Sequence, residues 1–299
     1  MKKLTKFIFF IGLLNVLTTV KAIDIQDQKG KFSISYIPNR IVALEYSYVD
    51  ALAQIGVSPI GVADDNDPSR ILQQVRDKVK PWQSVGTRAQ PSLEAIAALK
   101  PDLIIADNNR HSSVYEELKK IAPTVVFNSR NENYQENLET AQKIGDLLGK
   151  SVEMQNRIKA HNKKIEDIAQ FFKKKEQKVV FGVSRENQFN LYNNESYAGG
   201  LLETLGFNVT KATSPNKPKT TIGLEQLVAE KPDFMILTHY REESIARKWE
   251  NEVLWKIIPA VKSNLILNVD SNLWARARGM EAAEIMAQQV QDFILQNEK

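Results

Sequence analysis

Leu93-Glu-Ala-Ile-Ala-Ala-Leu-Lys-Pro-Asp-Leu-Ile-Ile-Ala106, with Arg110 and Ser113 beyond it, returns as Leu224-Glu-Gln-Leu-Val-Ala-Glu-Lys-Pro-Asp-Phe-Met-Ile-Leu237, with Arg241 and Ser244 beyond it. Leu-Glu, Lys-Pro-Asp, Ile105 and Ile236, the arginine and the serine are all displaced by the same 131 residues. Each copy reads as a helix closed by a proline turn that cannot continue it, followed by a short buried strand. A constant offset through helix, turn, strand and following loop means that the two halves share one supersecondary unit.

Outward from the repeat, short runs rich in Val and Ile alternate with helical patterns. Arg40-Ile-Val-Ala-Leu44, Ile60-Gly-Val-Ala63, Thr124-Val-Val-Phe127, Val179-Val-Phe181 and Leu265 to Val269 read as strands. Tyr48 to Gly56, Tyr115 to Ile121, Ser196 to Gly206 and Glu281 to about Gln296 read as helices. That alternation is the signature of βα units and mainly parallel sheet. Between the halves, Met154, Ile158, Ile165, Ile168 and Phe172 recur at helical spacing with no proline or glycine from Ser151 to Lys175. The spacing predicts one helix of about 25 residues, some 37 Å long, acting as a strut. His161 is expected on its solvent side, Lys173-Lys-Lys175 as a solvated C-terminal cap, and Pro215 to Thr220 as a surface loop. The fold class is therefore α/β, two Rossmann-like lobes joined by one long helix: residues 23–150, the linker 151–175, and 176–299.

Residues 1–22 read differently. Met1-Lys-Lys-Leu-Thr-Lys6 is a basic start, Phe7 to Val20 an apolar stretch, and Val20-Lys21-Ala22 a small-residue cleavage site, the pattern of a secretory signal peptide cut after Ala22. The apolar stretch, roughly 14 residues, is short of the ~20 that span a bilayer. Its removal takes four lysines and no acids from 40 basic and 36 acidic side chains, so the mature chain is formally neutral. Neutrality argues against a nucleic-acid partner. The chain has no cysteine, which excludes a lipidated cysteine, a disulfide, a thiolate metal site and a cysteine nucleophile. An exported, unanchored chain suits the periplasm of a two-membrane bacterium, and a monomer is expected.

In open parallel α/β lobes ligands bind beyond the carboxyl ends of the strands. Arg110 and Arg241 follow equivalent strands and are expected on opposite walls of one cleft. Arg88, Arg185 and Arg278 follow other strands, with Arg276 alternating beside Arg278. Guanidinium groups bind carboxylates bidentately at any relevant pH, so this cluster asks for an oxygen-rich anion. Trp82 and Trp274 are core residues by default and could also floor the cleft. Glu94 and Glu225, early in equivalent helices, compensate the macrodipole and are also available to a two-fold partner. His111, His161 and His239 have no metal-ligand spacing, although His111 and His239 flank the arginine pair. Asp64-Asp65-Asn-Asp67 lacks the rest of a cation loop and reads as a solvated turn. Nucleophile-elbow, zinc-protease, phosphate-loop and dinucleotide motifs do not occur.

Val85-Gly-Thr-Arg-Ala-Gln-Pro-Ser-Leu-Glu94 through Lys100-Pro-Asp102, His239-Tyr-Arg-Glu-Glu-Ser-Ile245, and Val269-Asp-Ser-Asn272 through Trp274-Ala-Arg276 resemble the siderophore- and cobalamin-binding family of ABC-importer receptors, and within it the iron(III)-dicitrate branch. The resemblance covers essentially the whole mature chain. It implies a class III periplasmic binding protein whose two lobes share one rigid helix. It also implies citrate carboxylates, already holding the iron, meeting Arg88, Arg110, Arg185, Arg241 and Arg278. Permease docking through Glu94 and Glu225, an inner-membrane permease dimer with its ATPase as partner, and no cofactor complete the expectation. The alternatives are a receptor for another carboxylate or a catecholate siderophore, a chelatase-like enzyme, and a structural protein. The enzyme would need a titratable acid or base beside the arginines.

Overall fold

The two Lys-Pro-Asp turns are alike in conformation as well as in sequence. Proline supplies no N–H and denies the residue before it a right-handed helical conformation. Accordingly the helices Leu93–Ala98 and Leu224–Glu230 both end at a left-handed lysine, Lys100 and Lys231, each with φ +47°. The aspartate of each turn then ties two neighbouring strands together. The Asp102 carboxylate accepts from the backbone N–H of Asn39 and Arg40, and that of Asp233 accepts from Lys178 N–H at 2.9 Å. Their own N–H groups donate to the carbonyls of Arg40 and Lys178.

The structure is a computed structural model that describes residues 22–172, 177–214 and 217–297. The expected signal peptide, up to Lys21, and Lys173-Lys-Lys175 lie outside the described residues. The strands are β1 Ile23–Asp27, β2 Gly30–Ile34, β3 Ile41–Ala43, β4 Gly61–Val62, β5 Gln83–Ser84, β6 Leu103–Asp107 and β7 Thr124–Phe127, then β8 Lys178–Ser184, β9 Phe189–Tyr192, β10 Asn208–Val209, β11 Lys219–Ile222, β12 Phe234–His239 and β13 Ile266–Val269. In the first lobe they form a parallel sheet in the order β5-β4-β3-β6-β7, flanked by the hairpin β1-β2. In the second the order is β11-β9-β8-β12-β13, with β10 beside the start of β8. The repeat places β6 against β3 and β12 against β8 in parallel, with side chains buried on both faces as parallel sheets require.

The second lobe departs from a wholly parallel sheet. β9 and β11 are antiparallel, joined through Phe189↔Ile222 to Tyr192↔Lys219, so part of the expected loop 215–220 is an edge strand. Lys219, Thr220 and Thr221 are exposed, and a polar edge strand carries no apolar alternation to reveal it.

The strut is the helix Ser151–Phe172, about 33 Å at 1.5 Å per residue. It buries Met154, Ile165, Ile168 and Phe172. Its neighbour Tyr134–Leu147 comes so close that a Cβ on Gly145 would meet Met154 Cβ at 2.6 Å. His161 is not in solvent: it is fully buried, with Nε2 2.6 Å from Tyr134 Oη and Nδ1 2.8 Å from Glu284 of the C-terminal helix Met280–Asn297. The strut is sandwiched between helices of both halves, so the face expected in water is an interface.

The same interface is closed by Asp50 of the helix Tyr46–Gln54. Its carboxylate accepts from the N–H groups of Met280 and Glu281 at 3.0 and 3.2 Å, capping a helix that belongs to the other end of the chain. Among the described residues no helix is long and apolar enough to cross a membrane.

Candidate functional site

The carboxyl ends of both central sheets face one cavity of about 160 Å³ between the lobes. Among the described residues, seven cationic side chains line it, Arg88, Arg110, Arg130, Arg185, Lys219, Arg276 and Arg278, against a single carboxyl, Glu132. Phe181, Tyr192, Tyr240 and Trp274 supply aromatic surface. An excess of that size, in a chain whose formal net charge is only +4, makes the cavity electropositive and suited to an anion. A larger groove of about 560 Å³ lies along the strut, where Glu166, Glu195 and Glu203 are its charged lining, the wrong sign for a carboxylate ligand.

The first lobe's wall is built on ion pairs. Arg88 is buried, its guanidinium 2.9 Å from Asp65 Oδ2 and 3.8 Å from the ring centre of Tyr46. Glu45, at the end of β3, lies behind it, 3.6 Å from Arg88 and 2.5 Å from Arg110 Nε. Burial pushes the Glu45 carboxyl up to about 7, against the pull of Arg110 and Arg88. Burial would also raise Asp65, but hydrogen bonds from Arg88 and its charge carry it down to about 2. Asp107, ending β6, caps the turn Asn108–His111 through Arg110 N–H at 2.7 Å and also takes the N–H groups of Ser129 and Arg130. One carboxylate therefore locates the loops of two cavity arginines.

His111 is buried behind this wall. Its Nδ1 accepts from Asp107 N–H at 2.8 Å, so its Nε2–H donates to the Arg88 carbonyl, also at 2.8 Å. It supports the Arg88 loop and does not line the cavity. Burial lowers its pKa, in keeping with a neutral ring. Asp64 and Asp65 are likewise no solvated turn. Asp64 is fully buried, taking the indole N–H of Trp82 at 3.0 Å and the Ser84 hydroxyl. Trp82 is thus held on the far side of that carboxylate, and only Trp274 reaches the cavity.

On the second lobe's wall the guanidinium carbons of Arg185 and Arg276 lie 4.6 and 4.5 Å from the Tyr240 ring centre. Two like charges gathered on one aromatic ring favour an anion between or above them. Arg278 spans the cleft, donating to the Arg130 carbonyl at 3.0 Å. Lys219, beside these groups, is lowered in pKa by burial and by Arg130, Arg185 and Arg278.

Arg241 corrects the expectation of paired arginines on opposite walls. Its side chain is 74% exposed, 3.2 Å from Glu186, and it is not among the cavity residues. The repeat holds through the strands and fails just after them. β6 runs into a capped helical turn that carries Arg110 inward, whereas β12 runs into a bend where Tyr240 takes the inward position. His239, bonded to Ser244 and Asn268, stays outside as well. Arg88, Arg110, Arg185 and Arg278 are brought together, and Arg130, Lys219, Tyr240, Glu45 and Glu132 join them unannounced. Arg130 and Glu132 follow β7 as Arg110 follows β6, the one signal that would have found them. Glu94 and Glu225 are exposed in the first turns of their helices, one on each lobe.

Two βα lobes, a helical strut and an anion cavity between sheet ends define a bilobal solute-binding protein. The chain belongs to the periplasmic binding protein family, which it matches over residues 41–273. It is 51% identical to the Fe(3+) dicitrate-binding periplasmic protein FecB of Escherichia coli (strain K12), covering 93% of this chain and 92% of that one. It is 38% identical to the Fe(3+)-citrate-binding protein YfmC of Bacillus subtilis (strain 168), covering 89% and 84%. Among solved structures, Staphylococcus aureus SirA complexed with staphyloferrin B superposes with a TM-score of 0.79 over 91% of this chain and 98% of that one. At 23% identity that likeness is one of fold.

Proposed function

We propose that this chain is the periplasmic substrate-binding component of an ABC importer and takes iron(III)-dicitrate into the cavity between its lobes. The observation that carries this reading is the lining itself, seven cations against one carboxyl. Citrate carboxylates that already hold the iron present their outer oxygens to guanidinium forks, so no protein atom needs to touch the metal. Arg110, Arg130, Arg185, Arg276 and Arg278 are the contacts of this reading. Arg88, engaged by Asp65 and Glu45, adds its charge from behind, and Arg241 is set aside. The likeness to the FecB and YfmC proteins supports the same ligand.

The remaining parts of the reading concern delivery. Glu94 and Glu225 offer one exposed carboxylate per lobe to a permease with two-fold symmetry, coupled to its ATPase. The chain is read as a binder and not a catalyst because the relatives it resembles, FecB and YfmC, are binding proteins. The lobes are taken as residues 23–150 and 176–299, with residues 1–22 removed on export. Titration of the mature protein with iron(III)-citrate, iron-free citrate and a catecholate chelate, followed by tryptophan fluorescence, tests the ligand. Saturable binding of the citrate chelate is expected; preference for the catecholate would overturn it.

A further inference from the structure

Among the described residues, Glu132 is the single carboxyl lining a cavity of cations. It is 1% exposed, in the loop between β7 and the helix Tyr134–Leu147. The Asn137 carboxamide donates to its Oε1 at 2.8 Å, which fixes that oxygen as an acceptor and leaves any proton on Oε2. Oε2 is buried and has no hydrogen-bond partner in the protein. The charged and titratable groups facing it are Arg278, ahead of the C-terminal helix, Asp107 at the end of β6, Glu45 and Tyr48 at the end of β3 and on the next helix, and Tyr197 across the cleft. Burial raises the Glu132 carboxyl well above its ordinary range; Arg278 and Asn137 pull it back, while Asp107 and Glu45 push it further.

A buried hydroxyl without an acceptor is costly and is completed by whatever acceptor arrives. We propose that Glu132 is a ligand-binding and specificity-determining residue, whose Oε2–H donates to an oxygen of the bound polycarboxylate chelate. The inference rests on the reading of the cavity as a receptor site. The arginines accept any oxyanion, whereas Glu132 contributes a neutral donor that its ionised form would replace with a repelling charge. Ligand affinity is therefore full below the folded pKa of Glu132 and falls as pH rises through it, and binding above it takes up a proton.

The test compares wild type with Glu132→Gln, whose carboxamide can donate at every pH, by fluorescence titration with iron(III)-citrate in excess citrate from about pH 6 to about pH 9. Taking the ratio of the two affinities at each pH removes the chelate's own speciation. While Glu132 stays protonated the two proteins are expected to agree within about threefold, and wild type is expected to fall about tenfold behind Glu132→Gln as the carboxyl ionises. Glu132→Ala is expected to bind about tenfold more weakly at low pH, with no such trend. Calorimetry in two buffers of different ionisation enthalpy should show proton uptake in alkaline wild type and none in Glu132→Gln. An alanine variant that binds like wild type, or a wild type that trails Glu132→Gln at some pH without taking up a proton there, overturns the role of Glu132. Loss of binding by wild type and Glu132→Gln alike at about pH 6 overturns the receptor reading itself.

Discussion

Glu45 Oε1 lies 2.5 Å from Arg110 Nε, inside a wall where the carboxyl is 1% exposed. Burial and Asp107 outweigh Arg110, Arg88 and Arg278, and the folded pKa stands at about 7 against an ordinary value of 4.5. A raised acid binds a proton in the folded state that the unfolded chain has released. Its contribution to stability is therefore complete below about 4.5 and is lost as pH rises through 7. Glu45→Gln cannot titrate. Its unfolding free energy should improve relative to wild type by about 2–3 kcal/mol between pH 4.5 and 8. Denaturant midpoints across that range check this; a flat difference would mean that the ion pair keeps Glu45 charged throughout.

Arg185 and Arg241 separate cavity from surface. Both follow strands of the second lobe, but one packs on Tyr240 in the cavity and the other pairs with Glu186 in water. Arg185→Ala should weaken iron(III)-citrate binding by about tenfold or more, the loss of a charge-assisted contact, with stability unchanged within about 0.5 kcal/mol. Arg241→Ala should bind within about twofold of wild type. The reverse ranking in titration would move the binding face out to the rim.

This split shows how far the repeat could be read. The offset of 131 residues located both central strands and both Lys-Pro-Asp turns, because proline and a strand-tying aspartate constrain the backbone wherever they recur. It misplaced Arg241 because nothing in the repeat specifies the loop after the strand, where the Asp107 cap is matched by Thr238. Glu45 was hidden by its neighbours, a lone acid closing the apolar run Ile41 to Leu44. His161 was misread for a similar reason: helical spacing identifies an apolar stripe, but not that a second helix will cover the polar side with its own partners.

The cap on the C-terminal helix makes a third test. Asp50 is the only carboxylate accepting from Met280 and Glu281 N–H among the described residues. Asp50→Ala should cost about 1–2 kcal/mol, while Asp50→Asn, an equally good cap, should stay close to wild type. Gly279 beside it has φ +119°, and a Cβ there would lie 2.3 Å from Asp50 Cγ. Gly279→Ala therefore combines strain with overlap and should cost about 3 kcal/mol or more. Thermal unfolding of the three variants gives the order, and an alanine at 279 that is tolerated would show that the two halves can shift apart.

Acid should loosen the strut in two stages. His161 donates from Nδ1 to Glu284 and accepts the Tyr134 hydroxyl at Nε2, an arrangement only the neutral ring can hold. Burial lowers its pKa, with Glu284 opposing. The unfolded chain then binds the proton first, so this stability is present above about 6.5 and is lost as pH falls through the folded value. Burial would raise Glu284, but His161, Arg157 and Lys164 carry it down to about 2, so its contribution holds above about 4.5 and is lost as pH falls towards 2. Tyr134→Phe leaves Nε2 buried without its donor and should cost about 1–3 kcal/mol at neutral pH. In His161→Gln the first stage disappears. Urea unfolding from pH 8 down to 5 should show the advantage of wild type over that variant shrinking with acidity. An advantage that stays constant would mean that the imidazole is not the group that titrates, and would leave Glu284 to account for acid sensitivity alone.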